Sequence, residues 1–342
     1  MRLSDSPCYK ALSYCWASED GNDAKHSLLY CDGKLISVTE NCEAALRNLR
    51  ERNELVLWID STCINQADRT ECGHQVGLMR SIYKNASSVL IYLGEPQPDT
   101  CEETGQPVAK IVTDFLRKFT LQMEVSTRTW SLEGFEKTST YQEFSQKAHS
   151  AFINRYQDTP ALIRGLQDIT SRRWWQRVWV VQEASLLSRG TTILWGNTSI
   201  PYATLAWLYE TGLETRDFPT QIALSPRNSG TNFWVVKYHL GNFRNAEPPT
   251  YEPRIALVVL DKVRNLKDSD PRDRVYGLLS LIDPENSIVL MQDYNKTTAE
   301  VFILVSRRLI EVSKTLDVLH YISEIGSSSS PSWVALESTQ ST

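Results

Sequence analysis

Three short apolar runs, separated by helical patterns, constrain the fold of this chain more than any other feature. They are Ala11-Leu-Ser-Tyr-Cys-Trp16, Leu55-Val-Leu-Trp-Ile-Asp60 and Ser88-Val-Leu-Ile-Tyr-Leu93, each with the length and composition of a buried strand. Residues 27–30 and 35–38 flank Asp32-Gly33, a hairpin turn signal. Thr39 caps a predicted helix running to about Arg52, with Ala45, Leu46 and Leu49 on its inner side. Asp68 and Glu71 have the spacing of a capping box, and the helix they open carries Val76, Met79, Ile82, Tyr83 and Ala86 in one stripe. Strand, helix, strand, helix, strand predicts a parallel sheet with right-handed crossovers. The 55–60 run is apolar until its final carboxylate and reads as a central strand of that sheet.

Residues 95–170 break the rhythm: a Pro/Gly/Thr-rich loop to Pro107, a helical pattern from about 108 to 123, then weaker helical signals around 141–168. This stretch reads as an insertion. The core pattern resumes over 171–212 with a tryptophan-rich helix and a strand at 191–195, and Pro201 stands at the first position of a short helix. The 213–342 portion is mostly helical in pattern. Residues 254–265 look helical, Asp270-Pro271 opens a further helix, and 297–312 is amphipathic. The expectation is one domain, 1–342, with its α/β core in 1–94 and 171–212.

Several function classes are excluded early. A net charge of −5 at pH 7 offers none of the basic surface of a general nucleic-acid binder. No run approaches eighteen consecutive apolar residues, and the first residues lack the apolar core of a secretory signal, so a cytoplasmic protein off the membrane is expected. Seven scattered cysteines without a C-x-x-C fit reduced thiols inside a cell. Cys63, Cys72 and His74 match no common zinc spacing and lack a fourth ligand nearby, so neither a metal nor another cofactor is expected.

The segment Arg173-Trp-Trp-Gln-Arg-Val-Trp-Val-Val-Gln-Glu-Ala184 contains no glycine or proline and reads as one helix, with Trp175, Trp179 and Glu183 near one face. A carboxylate buried among indoles needs a partner, a raised pKa or a ligand. Two readings stand: Glu183 pairs with Arg172, Arg177 or an arginine of the 270–274 segment, or it faces a cleft as a functional carboxylate. In parallel α/β sheets, ligands bind outside the carboxyl ends of the strands. That rule selects Tyr14 and Trp16, Asp60 with residues 61–66, and Gly94-Glu95. Core packing for Tyr14 and Trp16, and loop capping for Asp60, are the structural alternatives. No serine nucleophile elbow, P-loop, G-x-G-x-x-G or H-E-x-x-H occurs, and the five histidines are isolated. A dominant carboxylate suits a positively charged transition state, as in glycosidic cleavage. A nuclease or paired-acid hydrolase lacks both basic surface and paired acids.

Together, Tyr9-Lys-Ala-Leu-Ser-Tyr-Cys-Trp16, Leu57-Trp-Ile-Asp-Ser-Thr-Cys-Ile-Asn-Gln66, Gln75 to Tyr83, Leu93-Gly94, Arg173-Trp-Trp to Gln182-Glu183, Asp270-Pro-Arg-Asp-Arg-Val-Tyr-Gly277, Asp293-Tyr294 and Pro331-Ser-Trp-Val334 resemble the fungal heterokaryon-incompatibility (HET) domain. Ala17 departs from the glycine usual there. The resemblance implies a role in allorecognition, in which fusion of genetically different fungal cells triggers growth arrest or programmed cell death. The family is in turn distantly similar to Toll/interleukin-1 receptor (TIR) domains, which implies a flavodoxin-like parallel sheet flanked by helices, with helical insertions and a helical C-terminal portion. Trp179-Val-Val-Gln-Glu183 has the W-x-x-x-E form of the helix that supplies the catalytic glutamate of NAD-cleaving TIR domains. Carried over, Glu183 is the catalytic carboxylate acting on the ribose next to nicotinamide, and Tyr14, Trp16 and Trp179, with Asp60 from the strand-end rule, bind NAD as substrate. The alternative is a non-enzymatic signalling or scaffold module that self-associates or binds an allelic or regulatory protein partner.

Overall fold

The computed structural model describes residues 8–53, 56–132, 160–185, 191–205, 208, 266–278 and 292–318. The expectations for 213–252 and 254–265, and most of that for 141–168, fall outside these residues.

A five-stranded sheet organises the described chain. Its strands are β1 (Lys10–Tyr14), β4 (Leu57–Trp58), β5 (Ser88–Tyr92), β6 (Thr192–Trp195) and β7 (Thr198–Pro201), in the order β4-β1-β5-β6-β7. Strands β4, β1, β5 and β6 are parallel, with Ala11 beside Trp58 and Val89, and Tyr92 beside Leu194. Strand β7 folds back antiparallel on β6. The hairpin β2 (Ser27–Cys31) and β3 (Lys34–Val38) stands apart as a two-stranded ribbon. Its turn places Asp32 and Gly33 both at positive φ, the conformation that an Asp-Gly hairpin turn requires.

Alternation along the strands sorts their side chains onto two faces, and both are buried. Leu12, Tyr14, Leu90, Tyr92 and Leu194 pack against Val38 and against Cys42, Ala45 and Leu49 of helix α1 (Glu40–Glu51). Thr39 caps α1 through its side chain, as its position implies. On the other face, Ala11, Val89, Ile91 and Ile193 meet Met79, Ile82 and Tyr83 of α3 (Arg69–Asn85), after the single-turn α2 (Asp60–Cys63). The same layer holds Val112, Phe115 and Phe119 of α4 (Val108–Leu132) and Leu162, Leu166 and Ile169 of α5 (Pro160–Ser171). The result is three layers, α/β with a mostly parallel central sheet flanked by helices.

Four expectations need correction. The 55–60 run contributes only the two residues of β4 and forms the sheet's edge, pairing with β1 alone; its half-buried side chains follow from that position. The Asp68–Glu71 box is half made: Asp68 accepts from Thr70 and Glu71 N–H, whereas the Glu71 carboxylate accepts from Asn65 N–H. Pro201 ends strand β7, where its backbone need not donate to the ladder on the open side, and the expected helix begins one residue later, at Tyr202, so Pro201 precedes that helix instead of holding its first position. The tryptophan-rich segment is two pieces, a 3₁₀ turn at Arg173–Gln176 and helix α6 (Trp179–Ser185). Arg177 between them is extended because its neighbours join another strand of chain: Lys267 N–H donates to Gln176 O at 2.6 Å, and Val178 N–H donates to Lys267 O at 3.1 Å.

Helices α4 and α5 cross where Gly165 removes a side chain. A Cβ there would stand 2.2 Å from Val112 Cγ2 and 2.8 Å from Val108 Cγ1. Valine is stiff at χ1, so the helices would have to separate. Gly165→Ala is predicted to lower the unfolding free energy by about 1–2 kcal/mol, because overpacking outweighs the helix-propensity gain of about 1 kcal/mol. Urea denaturation measures this; a raised midpoint would show that the crossing accepts the methyl group.

Candidate functional site

The break at Arg177 shapes the site. Trp174 and Trp175, edge-to-face at 4.7 Å between ring centres, lie fully buried behind the sheet. Trp175 Nε1 donates to Ile169 O at 2.8 Å, and Trp174 Nε1 donates to Ser13 Oγ at 2.7 Å. Ser13, buried on β1, donates in turn to Glu183 Oε2. The extended backbone at Arg177 sends its guanidinium onto Tyr14 O, capping the carboxyl end of β1. Trp179 then sits half-buried at the start of α6.

A cleft of about 1050 Å³ opens at the carboxyl ends of β1 and β4. Trp16, Asp60, Arg177, Trp179, Asp273 and Tyr294 line it. Asp60 is held by Trp16 Nε1 at 2.9 Å and by Ser61 N–H at 2.7 Å. Asp273 is held by Tyr294 OH at 2.7 Å and by the Trp179 indole. The lining thus presents two carboxylates, each hydrogen-bonded by an indole. Lys25 lies over the Trp16 ring at 5.7 Å, and Arg272 over the Tyr294 ring at 5.2 Å.

Of the residues selected from the sequence, Trp16, Asp60 and Trp179 come together in this cleft. Tyr14 points to the other face of the sheet, where its hydroxyl donates to Ser61 Oγ at 2.7 Å, behind the Asp60 helix. Glu183 does not line the cleft. It is 2% exposed and sits one layer inside, on Ser13. The arginine alternatives resolve as well. Arg172 binds Asp168 and Glu95 O, while Arg272 and Arg274 bind Asp270 and Asp268. Arg177 is the arginine whose charge acts on Glu183. Gly94 and Glu95 are likewise outside the cleft, covered by Arg172.

Ser13 and Asp273 are not selected by the sequence patterns, and Arg177 enters there only as one of the arginines able to pair with Glu183. Ser13 is a small residue within a strand. Asp273 lay in a motif far along the chain. Nothing local signalled that these would meet.

Electrostatics couples the buried layer to the cleft. Burial pushes the Glu183 carboxyl up to about 7, against the opposing pull of Arg177 and the Ser13 hydroxyl. Burial also raises Asp60, with Arg177 and the Trp16 indole working the other way. Asp273 is raised to about 6, again mainly by burial. Carboxyls raised in the folded state bind protons that the unfolded chain releases, so they favour folding at low pH and lose that contribution as pH rises. For Glu183 the window runs from its ordinary 4.5 to about 7, and the full change is on the order of 3 kcal/mol. Unfolding free energy should therefore fall between pH 5 and pH 7 in the native chain, with a shallower fall in Glu183→Gln. Identical slopes in urea titrations of the two proteins would show that Glu183 keeps its charge throughout.

All seven cysteines are free, and among the described residues no helix is long and apolar enough to cross a membrane. No solved structure matches the chain. It is similar to heterokaryon incompatibility protein 6, OR allele, of Neurospora crassa, with 26% identity across 90% of this chain and 48% of that protein. The chain thus spans about half the length of that relative. The family model described as heterokaryon incompatibility protein (HET) matches residues 9–183, from the start of β1 to the carboxylate behind it, and the chain belongs to that family.

Proposed function

We propose that this chain acts in fungal heterokaryon incompatibility as a cytoplasmic cell-death effector, by cleaving the nicotinamide–ribose bond of NAD in the cleft at the ends of β1 and β4. The observation that carries this reading is the large cleft with the Asp60–Trp16 pair facing it and Glu183 behind Arg177. Its volume, about 1050 Å³, is at the upper end for ligand pockets. The strand order is also that of the flavodoxin-like doubly wound sheet, counting the five strands of the main sheet in chain order, and this supports a TIR-like core. Strand β7 departs from it by running antiparallel. The relative's name and the family support the incompatibility role.

In the reaction, the bond between ribose C1′ and the nicotinamide nitrogen breaks, and its electron pair leaves with neutral nicotinamide. The positive charge left on the ribose ring is stabilised by a nearby carboxylate in a poorly hydrated site. Water adds at C1′ and loses a proton, giving ADP-ribose. Asp60 is placed to face the sugar, with Trp16 and Trp179 against the nicotinamide side. Glu183 is the second carboxylate: from the buried layer it acts through Arg177 and Ser13, and it reaches the sugar only if that layer opens.

Concentrated protein incubated with NAD should release nicotinamide. Asp60→Asn should lower kcat by about a hundredfold or more, the scale of removing one transition-state electrostatic contact. Glu183→Gln should lower kcat with KM little changed. Absence of release from a folded, concentrated sample sinks the enzymatic reading. A second reading has its own support, since a carboxylate so enclosed by Ser13 and Arg177 also suits a structural role in a signalling or scaffold module that self-associates or binds a protein partner. A Glu183→Gln, Asp60→Asn double variant that folds and still triggers cell death would favour that module.

A further inference from the structure

The cleft contains six basic side chains, and they fall into two groups. Three are committed. Arg272 and Arg274 are neutralised by Asp270 and Asp268, and Arg272 also donates to Tyr294 O and Lys296 O. Arg177 is turned inward onto Tyr14 O, in the field of Glu183 and Asp60.

The other three are Arg69, Arg173 and Lys267. Among the described residues, none of their charged groups forms an ion pair, although Arg69 lies in the field of Asp270 and Arg173 in that of Glu19 and Asp20. The Glu19 carboxylate near Arg173 accepts from its backbone N–H, and the guanidinium instead lies along Gly21, whose Cβ position is 3.4 Å from Arg173 Nη1. Arg69 is the first residue of α3, but the Asp68 side chain already takes the Thr70 and Glu71 amides, so the side chain and not the helix end is on offer. Lys267 is exposed, its backbone fixed by the pairing with Gln176 and Val178.

These three cations come from distant parts of the chain to one cavity, in a protein whose net charge of −5 would otherwise repel anions. The same cavity carries two indoles, Trp16 and Trp179, that suit flat rings. A ligand that meets both kinds of group carries anionic groups and flat rings together, as a phosphorylated nucleoside does. We propose that Arg69, Arg173 and Lys267 form a diphosphate subsite that holds a nucleoside diphosphate or dinucleotide in the cleft, a proposal that rests on reading the cleft as a nucleotide site. It adds to that reading the residues that fix which ligands enter: a nucleoside without phosphates lacks the charge these side chains require.

Calorimetric titration of the purified chain with ADP-ribose, inorganic diphosphate and adenosine tests the subsite. ADP-ribose should bind, diphosphate more weakly, and adenosine weakest, with ADP-ribose affinity falling as salt rises from 50 to 200 mM (roughly the range in which phosphate contacts are screened). Arg173→Gln and Lys267→Gln should each weaken ADP-ribose about tenfold, the scale of one charge-assisted hydrogen bond. Arg173→Lys should recover part of the loss. Arg47→Gln, an equal charge change on α1 where Arg47 pairs with Glu43, should leave affinity unchanged. Salt-independent binding, or unchanged affinity in an Arg173→Gln, Lys267→Gln double variant with a native circular dichroism spectrum, overturns the subsite, as does no ADP-ribose binding at millimolar concentration. Cation-dependent ADP-ribose binding without nicotinamide release keeps the subsite and removes the catalysis. Nicotinamide release with KM unaffected in the double variant does the reverse.

Discussion

The guanidinium of Arg177 on the carbonyl of Tyr14 is the contact on which the site depends. It caps the end of the second strand in the sheet and brings one positive charge to two carboxyls that burial would otherwise neutralise, Asp60 and Glu183. Removing one member of such a set leaves a buried charge without compensation, which costs several kcal/mol, whereas the intact set adds little net stability. Its contribution is to position: the end of β1, the start of α2 and helix α6 are held in one relation by a single side chain. That side chain reaches its target only because the chain is extended at Arg177, and the extension exists only because Lys267 pairs with the residues on either side.

The placement of the cleft follows from the sheet. At the carboxyl ends of β5 and β6, Arg172, Asp168, Trp195 and Glu95 fill the space in a connected polar cluster. Towards the edge, β4 is short and has no outer neighbour, so the ends of β1 and β4 remain open. The 266–274 segment closes the far side, and it lies beyond the stretch that the family model covers. Trp179 joins the two parts, since its indole holds Asp273 while Gly277 leaves room for its ring at 3.4 Å from the Cβ position. The W-x-x-x-E pattern thus contributes its tryptophan to the cleft and its glutamate to the layer beneath.

Much of the scaffold was legible from residue patterns. The apolar runs of β1 and β5 and the Asp32-Gly33 turn carry their structure locally, as do the Thr39 cap and the amphipathic pattern of the helix at Thr298–Ser313. Periodicity failed where a tertiary partner overrode it. The 173–184 run has every local mark of a helix, yet backbone pairing with a residue some ninety positions later breaks it in two. The 55–60 run is apolar enough for a central strand, and only the order of the sheet makes it an edge. At the site, Trp16, Asp60 and Trp179 could be nominated because strand ends and aromatic residues announce themselves. Ser13 and Asp273 could not, and Arg177 only as one possible partner of Glu183, because each acquires its role in the cleft from a neighbour remote in sequence.

By itself, the sequence determined the layered α/β architecture, the faces of its strands and helices and the family, because hydrophobic period, turn chemistry and caps act over a few residues. Only the tertiary structure decided which carboxylate meets the cleft. Burial, charge and hydrogen bonding at Asp60 and Glu183 depend on groups brought in from β1, the Arg177 break and the 266–278 segment, and such long-range contacts leave no mark on the local pattern.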